Sequence, residues 1–174
     1  MLAVNQLIGF AATQQSLVET IIADGTGTNG GDYTSYGGLA AARDGTTSQT
    51  AANSAGVSPA TTAEKLYTVD WGSGKVPRRV VIYGPSDDGL QSFVGYTSDF
   101  RLLCSDTGAF SGEEVEVWAT TGVADGTSTV VDSNSVGSGV ITATMTAYRY
   151  WALAQTPSAS AELYIAEIKF YEGV

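Results

Sequence analysis

From Leu66 to Tyr171 the chain is cut at short intervals by Gly, Asp, Ser and Pro, and no segment between the cuts carries a sustained helical apolar stripe. The pieces that remain are short and rich in β-branched and aromatic residues. They predict strands at Leu66 to Trp71, Arg78 to Tyr83, Asp99 to Cys104, Glu114 to Thr120, Thr127 to Asp132, Val140 to Thr146, Ala147 to Ala154 and Glu162 to Tyr171. Many short strands joined by turn residues can bury their apolar faces only sheet against sheet, so the expected fold is an all-β sandwich. Upstream, Ser16 to Ile22 reads as a strand that enters the Gly-rich loop Ala23 to Gly31. Ala40 to Asp44 is short and compact, and Thr46 to Ala63 is a polar loop with room for one helical turn.

A chain of 174 residues forms one domain with a two-layer core. Eighteen acidic against eight basic residues, a net charge of -10, leave nothing to neutralise a phosphate backbone or an anionic membrane. Nucleic acid and membrane insertion are therefore excluded as expectations. Cys104 is the single cysteine and lies in the alternating run Phe100 to Cys104, which makes it a small buried side chain. There is no histidine, which removes Ser-His-Asp and Cys-His arrangements and the common zinc sites. The Gly-rich stretches at Gly25 to Gly31 and Gly72 to Gly74 lack a phosphate-binding pattern between strand and helix. The adjacent acids Asp87-Asp88 and Glu113-Glu114 read as solvated turn residues rather than as a glycosidase pair. The expectation is a protein that is not an enzyme.

Two pairs of segments carry a family likeness. Leu66-Tyr-Thr-Val-Asp-Trp-Gly-Ser-Gly-Lys75 is followed by Arg78-Arg-Val-Val-Ile-Tyr-Gly84, and Ala147-Tyr-Arg-Tyr-Trp-Ala-Leu153 is followed by Ala161-Glu-Leu-Tyr-Ile-Ala-Glu-Ile-Lys-Phe-Tyr171. In this order, with Asp70-Trp-Gly72 at a turn, they resemble the coagulation factor 5/8 type C, or discoidin-like, branch of the galactose-binding jelly rolls. The resemblance runs from about Leu39 to Tyr171 and implies a jelly-roll β-sandwich over residues 38–174. Residues 1–37 are then an N-terminal arm with a first strand. Alternation places Tyr164, Ala166, Ile168 and Phe170 on the core face of the last strand, with Glu167, Lys169 and Tyr171 opposite.

The resemblance also implies two sites. Arg43-Asp44-Gly45-Thr46-Thr47-Ser48 is similar to the Asp-Gly-Asn-x-x-Thr loop with which relatives hold a structural calcium, closed by a Glu that corresponds to Glu167. Asp44, Thr46, Ser48 and Glu167 with backbone carbonyls are a set of oxygens suited to a hard cation. Thr46 stands where the family often has Asn or Asp, and the competing reading is an Asx-turn at Asp44 with Glu167 as a surface carboxylate. For sugar recognition the family uses loops at one end of the sandwich. The candidates are Tyr83, Asp87, Asp88, Phe93 and Tyr96, with Tyr33 and Tyr36 from the N-terminal loop, and the competing reading is that the aromatics only anchor a long loop.

Met1 to Phe10 lacks the positive n-region of a signal peptide, and Asn5 and Gln6 interrupt its apolar run. With the Ala/Gly/Ser/Thr-rich composition, this suggests an accessory protein of a tailed-bacteriophage virion. The expected partners are other virion subunits, copies of itself in a homo-oligomer, and host-surface glycans. A purely structural decoration or adaptor protein, and a secreted bacterial carbohydrate-binding module, remain as alternatives.

Overall fold

The computed structural model describes residues 26–29, 35–57, 64–86, 97–124, 129–137, 141, 146–157 and 163–173. Its strands are β1 (Thr26–Asn29), β2 (Ser35–Tyr36), β3 (Ala55–Val57), β4 (Lys65–Lys75), β5 (Pro77–Tyr83), β6 (Thr97–Ser105), β7 (Val115–Ala124), β8 (Val130–Asp132), β9 (Tyr148–Pro157), β10 (Leu163–Ile165) and β11 (Glu167–Glu172). Two single 3-10 turns, Leu39–Arg43 and Ala51–Asn53, lie between β2 and β3. A five-stranded sheet runs β1-β4-β9-β6-β7, and two three-stranded sheets run β10-β3-β2 and β11-β5-β8. All pairings are antiparallel.

Alternation decides which side chains meet between the layers. Tyr67, Val69 and Trp71 of β4, Trp151 and Leu153 of β9, and Phe100, Leu102 and Cys104 of β6 point inward from the five-stranded sheet. They meet Val80 and Ile82 of β5, Val131 of β8, and Ile168 and Phe170 of β11. Cys104 is fully buried, as its place in an alternating run predicts. Trp71, Trp151 and Phe170 form a triangle of edge-to-face contacts with centroids 5.3, 5.7 and 5.8 Å apart. Burying one such ring is worth roughly 4 to 6 kcal/mol of gross transfer free energy, whereas the edge-to-face geometry adds only about 0.5 to 1.5 kcal/mol. Burial therefore holds the triangle, and ring geometry orients it.

Several elements depart from the sequence-based expectation. β4 continues past Trp71 to Lys75 because the expected turn is a bulge inside the strand: Asp70 pairs with Tyr150, but the next pair is Lys75 with Tyr148. Gly72 takes φ 69° there, and its N–H bonds the Asp70 carboxylate at 2.8 Å. Thr26 to Asn29, read as Gly-rich loop, is β1 paired with Tyr67 to Asp70. Backbone hydrogen bonds to a neighbouring strand need no apolar side chains, which is why the composition hid it. Thr26–Asn29 and Ser35–Tyr36 thus contribute strands to the sheets, and Ser16 to Ile22 lies outside the described residues. The polar loop from Thr46 contains its helical turn and also β3. Of the expected strand from Val140 to Thr146, only Ile141 and Thr146 are described, and neither is in a strand.

The last expected strand is two. Ala166 is a bend at which the chain leaves the β10 sheet for the β11 sheet, and its N–H donates to Tyr83 O at 2.8 Å. Alternation does not survive the bend, so Tyr164, Ile165, Ala166, Glu167 and Ile168 are all buried in succession. Similarly, a register shift in the β6–β7 ladder between Leu102 and Leu103 places both Val117 and Trp118 in the core.

Candidate binding site

The loop after the first 3-10 turn is built from its own polar atoms. Asp44 closes that turn at φ -90°, ψ 0°, and Gly45 follows at φ 86°, a left-handed conformation that glycine adopts without a Cβ penalty. The Thr46 N–H donates to Asp44 Oδ1 at 2.8 Å, an Asx-turn. The Gly45 N–H donates to Glu167 Oε2 at 3.0 Å across 122 residues of sequence. Asp44 and Glu167 are thereby brought to one loop, as the family likeness implies. Glu167 is only 4% exposed and is not a surface carboxylate. Burial is the main reason its carboxyl is pushed above the usual range; the Gly45 N–H opposes that, Lys169 and Arg43 pull it down, and Asp44 pushes it further up. The Thr46 and Ser48 side chains are largely solvent-facing.

Sequence reasoning missed Gln49. Its side chain is buried, and Nε2 donates both to Asp44 Oδ2 at 2.7 Å and to Ala41 O at 3.0 Å. The signal available was weak: one long amide in a run of Thr and Ser, within reach of an acid five positions back. Both Asp44 oxygens and one oxygen of Glu167 thus accept N–H bonds, and among the described residues no group of three or more His, Cys, Asp or Glu gathers to hold a metal. Calcium takes six to eight oxygen ligands, and here Asp44 Oδ1, Asp44 Oδ2 and Glu167 Oε2 are each engaged by an N–H.

The same loop is tied to the base of the candidate sugar loop. Gln49 O accepts the Ser86 N–H at 2.7 Å and the Ser86 hydroxyl at 3.0 Å. Tyr83 ends β5 directly opposite Glu167, half-buried, with Lys169 Nζ 5.3 Å from its ring centroid. The ammonium covers part of one ring face by cation–π attraction. Asp87, Asp88, Phe93 and Tyr96 lie outside the described residues. Beside Tyr83, a cavity of about 30 Å³ opens between the layers, lined by Gly84, Pro85, Phe100, Val123, Gln155 and Tyr164 among others. That volume holds about two waters, not a sugar ring.

Arg43 is a second residue the sequence did not single out. Its guanidinium stacks on Trp71 at 5.1 Å and on Phe170 at 5.9 Å, carrying charge onto the rim of the aromatic triangle. Tyr67 beneath it has its hydroxyl pushed up to about 12, chiefly by burial and against the pull of Arg43. Arg43 Nη1 and Trp71 Nε1 are buried donors without a hydrogen-bond partner.

No family model matches the sequence, and no curated protein does. Solved structures do match. The lectin domain of lectinolysin complexed with Lewis B antigen superposes with a TM-score of 0.62 at 15% identity, covering 91% of this chain and 99% of that one. A fucolectin from serum of the striped bass Morone saxatilis gives 0.60 at 13%, covering 88% and 48%. A Streptococcus pneumoniae fucose binding module, SpX-3, gives 0.56 at 15%, covering 89% and 99%. At such identity the likeness is one of fold, and the fold is the galactose-binding-like jelly roll.

Proposed function

We propose that this chain is a non-enzymatic glycan-binding module that serves as a virion accessory protein, a head spike or tail fibre module meeting host-surface glycans. The observation that supports glycan binding most is the fold it has in common with lectin and fucose-binding domains over about nine tenths of the chain. The site belongs to the end where Tyr83 and Ser86 found the loop carrying Asp87, Asp88, Phe93 and Tyr96. Aromatic rings beside carboxylates and amides are the mixture that stacks on a sugar and bonds its hydroxyls. Single sites of this kind are weak, and many copies on one particle supply the avidity. The virion setting rests on the Ala/Gly/Ser/Thr-rich composition, with a secreted carbohydrate-binding module as the alternative.

A second reading, a structural decoration or adaptor protein without sugar binding, is favoured by two details. The cavity is too small for a sugar, and the Tyr83 ring is already engaged by Lys169.

A glycan array probed with the parent chain and with a Phe93→Ala, Tyr96→Ala double variant separates the readings. The first expects selective binding that weakens about tenfold or more in the variant while the melting temperature holds. A parent chain that binds no glycan on the array leaves the decoration reading.

A further inference from the structure

We propose that the side-chain amide of Gln49 occupies the place of a divalent cation in the loop of residues 41–49, so that this chain closes the loop without metal. Two oxygens from separate points of the loop, Ala41 O and Asp44 Oδ2, converge on Gln49 Nε2 at 3.0 and 2.7 Å. A backbone carbonyl and a carboxylate meeting at one point is what a hard cation produces. An NH2 group produces the same convergence because it offers two polar hydrogens to two acceptors.

The orientation of the amide follows from its partners. Ala41 O and the Asp44 carboxylate only accept, so the nitrogen end must face them, and the bond to the carboxylate is the stronger, charge-assisted kind. The backbone of Gln49 is itself pinned, since its carbonyl receives both the N–H and the hydroxyl of Ser86. A pinned backbone holds the side chain under the loop, where it is only 8% exposed. The other donors agree: the N–H groups of Gly45 and Thr46 point at Glu167 and Asp44 and occupy part of their acceptor capacity. The charges facing Glu167 from packed elements are Lys169 and Arg43, with Asp44 opposing them, so Glu167 has cationic compensation from the protein's own side chains.

The full-length chain is melted in millimolar calcium chloride and in excess chelator, and calcium chloride is titrated into it by calorimetry. The proposal expects equal melting temperatures and no saturable heat. Gln49→Ala should lower the melting temperature by several degrees in both conditions, because it leaves a buried carbonyl and a carboxylate oxygen short of a donor. Gln49→Asp, which replaces the donor by oxygens, should acquire a melting temperature that rises with calcium. A parent chain stabilised by calcium overturns the proposal, since the ion would then displace the amide. So does a Gln49→Ala variant as stable as the parent, or a folded Gln49→Asp variant indifferent to calcium. If Gln49→Asp fails to fold, the parent and Gln49→Ala measurements decide.

Discussion

Tyr83 and Glu167 stand directly opposite each other as the first rung of the β5–β11 ladder, and the next residue back, Ala166, donates its N–H to Tyr83 O. Because that rung is shared, the loop closed by Glu167 and the loop that leaves β5 after Tyr83 are built on one piece of backbone. The Gln49–Ser86 bonds join them a second time. Tyr83 and the Asp44–Glu167 loop, picked out separately in the sequence, are therefore neighbours, even though 122 residues separate Gly45 from Glu167.

Tyr83 tests what its side chain adds to that rung. Replacing it by Phe keeps the ring under Lys169 and should change stability by less than about 0.5 kcal/mol. Replacing it by Ala removes a half-buried ring and the cation–π contact, a loss of about 1 to 2 kcal/mol. Urea unfolding of the three proteins checks this; a Phe variant as weak as the Ala variant would assign the effect to the hydroxyl instead.

Acid should weaken the sandwich through Asp132. Arg79 bonds it with Nε at 3.0 Å and Nη2 at 2.8 Å, and with help from the Asn134 N–H holds its carboxyl below the usual range. A depressed carboxylate stabilises the fold above its ordinary pKa and loses that contribution as pH falls through its folded value. The melting temperature of the parent should thus fall more steeply below about pH 4 than that of Asp132→Asn, which at neutral pH should be less stable by about 1 kcal/mol. Parallel pH profiles would remove Asp132 from the account.

Cys104 should behave as a reporter of unfolding. It is fully buried in β6, and burial pushes its thiol far above the ordinary range. A thiol-specific chromogenic reagent should leave the native protein unlabelled and react with one equivalent once denaturant unfolds it. Rapid labelling under native conditions would mean that the layers part at β6 without global unfolding.

Much of the fold was legible because strand alternation is local. Arg78 to Tyr83 and Asp99 to Cys104 fall within β5 and β6, and the inward set Phe100, Leu102 and Cys104 follows from a period of two without knowledge of any partner. The places where the reading failed are those where the partner decides. β1 is a strand because Tyr67 to Asp70 lie beside it, and the bend at Ala166 exists because the chain changes sheets there. Val117 and Trp118 share the core because a bulge in the β6–β7 ladder turns both inward.

The sequence by itself determined an all-β sandwich and a buried Cys104, since each depends on residue type and short-range period. Only the tertiary structure decided how the loop at Asp44 is held. Gln49 Nε2 reaches Ala41 O and Asp44 Oδ2 because Ser86 pins the Gln49 carbonyl, and Glu167 is buried against Gly45. Hydrogen-bond geometry of that kind is set by the packing of distant segments, which no local pattern encodes.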